Sequence, residues 1–308
     1  MRTYWNIVGG LRPLEEPTSN SWIQVTCPTA EDCDFSENQI RIPDYFLSDI
    51  ADVEERARYE TDEGWFLIIL RIPYAKVTRS RTPFTTIPLG IIIKGSQIIT
   101  VCNFETDMMN DFLTHQQRRG VGIQDPTEMV FRLFLSSAVW YLKRLKQIST
   151  LIEQYKRALD HTIDNVDLIS FSRLQDSLTY FVTSIRGNET LLSKLKFRLQ
   201  IDELDADLIE DVNIEMSQAR ETTQIYSDIL DSTMDTYANI INNNMSKVMK
   251  MLTSISLILM VPTLVTSAFG MNLINGMENV WWGFPVVAVF SVIITVLFFW
   301  FFRHRNYL

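Results

Sequence analysis

The residues best suited to chemistry in this sequence form a stripe along an apolar segment near the C-terminus. They are small, hydroxylic or methionine residues that recur at spacings of three and four, the period of one helix face: Ser246, Met249, Thr253, Ser256, Met260, Thr263, Ser267 and Gly270. Hydroxyls and flexible thioethers on one face can line a narrow, water-filled path for ions. Small and hydroxylic residues are also enriched where membrane helices touch. The stripe therefore indicates a pore lining, with a tight seam between helices as the alternative.

Two apolar runs must position this stripe. Neither 251–270 nor 281–302 contains an ionisable residue, and each reaches the roughly 20 residues that a helix needs to cross a bilayer core of about 30 Å. We predict a transmembrane helix in each run, with the first lining the pore and an external loop over 271–280. Because two spans cannot enclose a pore, several copies must assemble around a common axis.

Lysine and arginine flank the two spans on one side only. Lys247 and Lys250 precede the first span, the basic tail 303–308 follows the second, and the loop between the spans contains neither residue type. The positive-inside rule then puts both termini in the cytoplasm. We expect a multi-pass protein of the plasma (inner) membrane whose large N-terminal part is cytoplasmic.

Composition narrows the classes of partner and chemistry. The net charge is −9 over 308 residues, which argues against nucleic acid as a partner, because phosphate binding needs a basic face. The three cysteines have no metal-type pair spacing and are expected as free thiols, and no phosphate-binding loop is present. The three histidines have no nucleophile or metal-ligand spacing beside them. We therefore predict neither an enzyme nor a bound cofactor.

The pattern over 1–125 is typical of an α/β domain, which we expect in the cytoplasm. Runs of β-branched and aromatic residues, bounded by Gly, Pro or charge, predict strands at 64–72, 87–93 and 97–101. Helical spacing predicts helices at 42–59 and 105–119.

Helix formers dominate the chain beyond that domain. We predict a helical hairpin over 126–200 and a stalk helix over 201–250 that continues into the first span, since only Pro262 interrupts a stretch without Gly or Pro from 202 to 269. Such a helix has about 65 residues and, at 1.5 Å per residue, a length of about 100 Å. Its acidic side chains predict a solvated face opposite a packing stripe.

The most specific signature lies at the mouth of the first span. It contains FGMN at 269–272, preceded by VMKMLTSISLILMVPTLVTSA and followed by WGFP at 282–285. Gly-Met-Asn at the outer end of the first of two C-terminal spans resembles the CorA-type family of divalent-cation transporters. The N-terminal IPDYFLSDIADVEERARYE, followed by WFLIIL, resembles the same family more weakly.

This resemblance implies a homopentameric Mg²⁺ channel with a cytoplasmic funnel. It would move hydrated Mg²⁺ inward down the electrochemical gradient, and cytoplasmic Mg²⁺ would gate it, so that the ion is both substrate and regulator. The site residues that the resemblance implies are the selectivity ring Gly270, Met271 and Asn272, the pore and gate residues Met249, Leu252, Met260 and Thr263, the cation-attracting Glu278 of the external loop, and the regulatory metal ligands Asp49 and Asp211.

The sequence departs from the family pattern at three places and leaves two alternatives. Phe269 stands where Tyr is commoner, Ser48 replaces an acid often found beside Asp49, and the loop has NGMEN in place of Met-Pro-Glu-Leu. Within transport, the alternative is a zinc, cobalt or nickel transporter of the same superfamily. His, Cys or further acids at the mouth would favour such ions, and the loop has none beyond Glu278. Outside transport, the alternative is a non-conducting scaffold or sensor anchored in the membrane.

Overall fold

The computed structural model describes residues 1–18, 21–76, 82–120, 122–161, 165–199, 203–271 and 281–305. The chain divides into two compact units, Met1–Asp231 and Ser232–Leu308. The first unit is built around a β-sheet covered by helices. The second unit contains the two apolar segments.

A seven-stranded sheet forms the centre of the first unit. Its strands are β1 (Arg2–Asn6), β2 (Arg12–Leu14), β3 (Ser21–Thr26), β4 (Arg58–Asp62), β5 (Trp65–Ala75), β6 (Phe84–Lys94) and β7 (Gln97–Cys102). They lie in the order β2-β1-β3-β7-β6-β5-β4. Strands β3 and β7 are parallel, and the other neighbours are antiparallel. The three predicted strands are confirmed as β5, β6 and β7, whereas the sequence pattern does not predict β1 to β4.

One face of this sheet is covered by the short helix α2 (Asp44–Ala51). Phe46 and Ile50 of α2 share a buried core with Leu67 of β5 and Ile92 of β6. The helix comes so close that a Cβ built on Gly90 would lie 2.1 Å from Cδ1 of Ile50. Glycine at this position of β6 therefore makes room for the side chain of α2.

The other face is covered by α4 (Pro126–His161) and α5 (Asn165–Arg198). The Tyr141 hydroxyl of α4 donates to the backbone carbonyl of Arg71 on β5 at 3.0 Å, and the Tyr141 ring meets Phe181 of α5 edge-on. Because β5 is buried on both faces, its sequence from Trp65 to Leu70 is a continuous apolar run instead of an alternating one. The helices predicted within 126–200 are confirmed.

The helix predicted over 42–59 is shorter in the structure. Helix α2 ends at Ala51, and the chain enters β4 at Arg58. The loop between them is held by the Arg71 guanidinium, which donates to the carbonyls of Val53 at 2.5 Å and Glu55 at 3.1 Å. Pairing of β4 with β5 thus overrides the helical spacing of the local sequence.

The remaining helices of the first unit are short. Helix α1 (Ala30–Asp34) runs into a π-helical segment, Phe35–Ile40, and the sequence pattern predicts neither. Helix α3 (Asp107–Arg119) confirms the prediction over 105–119. The Thr106 hydroxyl caps its N-terminus, and Gly120 ends it with a left-handed φ of 64°.

The two C-terminal helices are α6 (Glu203–Phe269), with 67 residues, and α7 (Gly283–His304), with 22. Helix α6 confirms the long, uninterrupted helix predicted from the near absence of Gly and Pro. Pro262 lies inside it and lacks the N–H that would otherwise donate to the carbonyl four residues earlier.

Candidate functional site

Among the residues that the structure describes, two helices are long and apolar enough to cross a membrane: Ala206–Phe269, which belongs to α6, and Gly283–His304, which is α7. Only 11% and 6% of the residues in their most apolar stretches are buried. A core helix of a soluble protein would bury most of such a stretch. The two predicted spans are therefore present as helices whose apolar side chains are mostly exposed.

Burial along the spans is confined to one face of each helix. The buried residues of the apolar part are Ser254 and Ile258 in α6, and Gly283 and Ser291 in α7. Ser254 lines a groove together with Phe301 of α7, so this face of α6 is directed at α7. Small residues at such a contact allow two helices to approach closely.

The outer part of the polar stripe lies away from that face of α6, whereas Met249 and Thr253 at its inner end line the same groove as Ser254. Met249 and Leu252 are each 57% exposed, Met260 is 59% exposed, and Thr263 is exposed as well. At about 100° per residue, Met260 and Thr263 are roughly half a turn around the helix from the buried face. From Ser256 outward, the stripe is therefore not the seam between the two spans of one chain, while Met249 and Thr253 lie beside α7.

The hydroxyls of the stripe are turned back onto their own helix. Thr253 donates to the Met249 carbonyl at 2.8 Å, Ser256 to the Leu252 carbonyl at 2.9 Å, and Thr263 to the Leu259 carbonyl at 2.8 Å. A hydroxyl that has used its proton in this way keeps only lone pairs for a further partner. The waters held by a hydrated Mg²⁺ point their protons outward. The stripe thus offers hydrogen-bond acceptors of the kind that a hydrated cation needs.

Helix α6 ends where the Gly-Met-Asn motif begins. The Gly270 N–H donates to the Thr266 carbonyl at 2.9 Å, and a Cβ built on Gly270 would lie only 3.3 Å from that carbonyl oxygen. Glycine is therefore favoured here by close approach to the last helical turn, and its φ is not left-handed. Met271 is 58% exposed, while Asn272 and Glu278 lie outside the described residues.

The two predicted regulatory ligands lie on different elements. Asp49 is on α2, and Asp211 is exposed on α6. Within one chain, no hydrogen bond or ion pair of the described residues joins them. The part of the chain that the structure describes also holds no cluster of three or more His, Cys, Asp or Glu side chains that could bind a metal ion.

Asp49 already has a cationic partner. The Arg58 guanidinium donates to Oδ2 of Asp49 at 2.6 Å and to Oε1 of Glu55 at 2.9 Å, and it also donates to Glu60. Burial lowers the pKa of Arg58, but the hydrogen bonds to Glu60 and Glu55 outweigh it and hold the pKa above its usual value. A permanent positive charge therefore lies beside the carboxylate that was expected to bind a regulatory cation.

A protein-family model described as "CorA-like Mg2+ transporter protein" matches residues 18–304 of this chain. The chain belongs to the CorA-like family. Among its relatives is the "Cobalt/magnesium transport protein CorA" of Methanocaldococcus jannaschii, which is 26% identical over 302 residues. That alignment covers 93% of this chain and 91% of the relative.

Solved CorA-like structures share the fold. The complete CorA magnesium transporter from Methanocaldococcus jannaschii superposes with a TM-score of 0.87 at 23% identity, covering 100% of this chain and 99% of that one. The ZntB cytoplasmic domain from Vibrio parahaemolyticus gives a TM-score of 0.61 at 12% identity, covering 78% of this chain and 98% of that domain. At these identities the likeness establishes the architecture. The predicted fold, an α/β domain followed by a long helix and two C-terminal spans, is thereby confirmed.

Arg58 is the residue of this CorA-like chain that the sequence analysis missed. Its local sequence, EERARYE at 54–60, places acids on both sides of the arginine, which is a signal for an ion-pair cluster. The sequence pattern predicts a helix over this segment, and the ion-pair cluster is therefore not among the predictions. In the structure, β4 brings Glu60 to Arg58, and the end of α2 brings Asp49 to it.

Proposed function

We propose that the chain is the subunit of a homopentameric channel that carries hydrated Mg²⁺ into the cytoplasm. The observation that carries this proposal is the position of the polar stripe. From Ser256 outward it lies on the face of α6 directed away from α7, Met249 and Thr253 at its inner end lie beside α7, and its hydroxyls are left as acceptors by their bonds to Met249, Leu252 and Leu259. Several copies of α6 around one axis would turn these faces toward a common, water-filled path.

Within that path we assign the residues by their depth along α6. Gly270, Met271 and Asn272 form the outer selectivity ring, where amide oxygens accept hydrogen bonds from the waters of the ion. Mg²⁺ gives up its waters reluctantly, so a ring that binds the hydrated ion passes it faster than one that strips it. Glu278 adds negative potential outside that ring. Met260 and Thr263 line the middle of the path.

The gate is assigned to the inner end of the stripe. Met249 and Leu252 are apolar, exposed in the single chain and one helical turn apart. A ring of such side chains can close a pore by expelling water from it. Met260 is also apolar. A constriction at its depth would divide the pore into two water-filled segments.

Transport in this direction needs no chemical fuel. With both termini in the cytoplasm of a plasma (inner) membrane protein, the membrane potential favours inward movement of a dication by about 4.6 kcal/mol per 100 mV, twice the value for one charge. We propose accordingly that the chain has no enzymatic activity and binds no resident cofactor. Co²⁺ is the second candidate ion, because the relative from Methanocaldococcus jannaschii carries cobalt and magnesium in its name.

Regulation is assigned to Asp49 and Asp211 of neighbouring copies. Two carboxylates facing each other across an interface repel unless a dication bridges them. High cytoplasmic Mg²⁺ would then hold adjacent cytoplasmic domains together and keep the channel closed. Arg58 already neutralises Asp49 within the chain, so the ion must compete with the guanidinium or share the carboxylate with it.

The test is ion flux with the purified protein in liposomes that contain a Mg²⁺-sensitive dye. Thr263→Val removes one acceptor of the stripe and should lower the flux severalfold. Thr295→Val is the matched control, because Thr295 of α7 makes the same back-bond, to the Ser291 carbonyl at 2.8 Å, and is not on the stripe. No flux through the wild-type protein would refute transport, and equal losses in both variants would refute the pore role of the stripe.

A further inference from the structure

A groove of about 520 Å³ lies between α6 and α7, at the end of the two spans where the basic residues are. Its size is within the range of about 300–1,000 Å³ that is typical of small-molecule sites. Two cationic side chains line it, Lys250 from α6 and Arg305 from α7. The two positive charges make the groove complementary to an anion.

The lining of the groove is both cationic and apolar. Beside Lys250 and Arg305 are the apolar side chains of Met249, Leu257, Phe301 and Phe302. Leu257 follows Lys250 by seven residues, which is two helical turns or about 10 Å. Thr253 and Ser254 also line the groove. A ligand that matches this lining combines a negative group with an apolar chain.

We propose that this groove is a binding site for one anionic phospholipid. The headgroup phosphate would lie between Lys250 and Arg305, and the upper part of an acyl chain would lie against Leu257 and the two phenylalanines. The position supports this occupant, because the groove begins at the basic boundary of the spans and extends into their apolar part. Basic pockets between membrane helices are a known way of holding lipid headgroups.

The arrangement distinguishes a bound lipid from general attraction to a charged surface. The same ends of the helices also carry Lys247 and Arg303, and neither of them lines the groove. General attraction depends on the number of charges near the surface, whereas a site depends on which charges they are. This difference provides a control with an equal loss of charge.

The experiment measures binding of phosphatidylglycerol and phosphatidylcholine to the purified, assembled full-length protein by native mass spectrometry. Wild-type protein should bind phosphatidylglycerol in preference to phosphatidylcholine. Lys250→Gln with Arg305→Gln should weaken phosphatidylglycerol binding about tenfold or more, because two charge-assisted contacts to the headgroup phosphate are lost. The equally charged control, Lys247→Gln with Arg303→Gln, should retain it. The charge-conserving variant, Lys250→Arg with Arg305→Lys, should retain it as well and shows that the site tolerates substitution.

Three outcomes would overturn the proposal. Equal losses in the two glutamine variants would mean general attraction to charge, and no loss in either would mean that the groove does not hold the lipid. Displacement of phosphatidylglycerol by inorganic phosphate at comparable concentration would make the groove a site for the free anion. Because the measurement does not involve ion flux, a failure here is distinct from a failure of the proposed transport.

Discussion

The carboxylate of Asp49 accepts a hydrogen bond from Nη2 of Arg58 at 2.6 Å, and this ion pair joins the end of α2 to the start of β4. Both side chains are partly exposed, 27% for Asp49 and 33% for Arg58. An external cation can therefore reach the carboxylate, but it meets an internal competitor there. If Asp49 binds the regulatory ion as proposed, the strength of Mg²⁺ feedback depends on Arg58, a residue that need not touch the ion.

Removing this competitor should make inhibition more sensitive to Mg²⁺. In Arg58→Gln, we expect the internal Mg²⁺ concentration that halves the flux to fall about fivefold, because a partly exposed ion pair contributes ~1 kcal/mol. The measurement is flux into liposomes loaded with graded Mg²⁺. Arg56→Gln is the control, since Arg56 is exposed on the loop that directly precedes β4. An unchanged half-inhibitory concentration in Arg58→Gln would show that Asp49 is not a ligand of the regulatory ion.

Removing the proposed ligands should have the opposite effect. Asp49→Asn with Asp211→Asn should raise the half-inhibitory internal Mg²⁺ concentration about tenfold or more, because the amides are neutral and bind a hard dication weakly. Asp44→Asn with Asp207→Asn is the control, as these aspartates lie on the same two helices and are exposed. If the first double variant is still inhibited at the wild-type concentration, the regulatory role of the pair is wrong.

The gate assignment predicts a leak. Leu252→Ser and Met249→Gly should each raise basal conductance severalfold at high internal Mg²⁺, because a polar or smaller lining holds water more readily. The recording is made on single channels in planar bilayers. Val292→Ser provides a control, since Val292 is an exposed apolar residue of α7 away from the stripe. If basal conductance in both gate variants equals that of the wild type, the gate is at another depth of the pore.

The next prediction tests the side-chain amide of Asn272 in the proposed selectivity ring. Asn272→Ala should abolish Mg²⁺ flux while leaving the oligomer intact, because in the proposed ring the amide would contact the waters of the ion and not the neighbouring subunits. Flux and the mass of the assembled particle by light scattering are measured on one preparation. Asn272→Asp keeps an oxygen and adds a charge, so it should bind the ion more tightly or discriminate less. If Asn272→Ala shows wild-type flux, Asn272 is not part of the selectivity ring.

A stability prediction concerns Asn188 of α5, whose side chain makes two hydrogen bonds to the backbone of Arg71. Asn188 is fully buried; its Oδ1 accepts from the Arg71 N–H at 3.0 Å and its Nδ2 donates to the Arg71 carbonyl at 2.7 Å. Asn188→Ala leaves that buried N–H without this partner and should lower the free energy of unfolding by about 1–3 kcal/mol. Thr190→Ala, at an exposed position of α5, is the control. Denaturant titration followed by tryptophan fluorescence makes the comparison, and equal effects would contradict the prediction.

Most of the helical architecture is determined by the sequence alone. The two apolar runs, the near absence of Gly and Pro before Phe269, and the three-and-four spacing of the stripe are local features. Helix periodicity and membrane insertion depend on such local features, because a helix satisfies its backbone hydrogen bonds within its own segment. The bounds of α4 to α7 and the family signature at Gly270 could therefore be predicted.

The tertiary structure decided what depends on partners distant in sequence. A strand has no internal hydrogen bonds, so the pairing of β3 with β7 and of β4 with β5 is not visible in local patterns. That pairing ended α2 at Ala51 and brought Arg58 to Asp49. Packing also decided which face of α6 is directed at α7: the stripe lies away from α7 from Ser256 outward, and Met249 and Thr253 lie beside it. The sequence shows which residues share a helix face, and only the contacts of that face show what it meets.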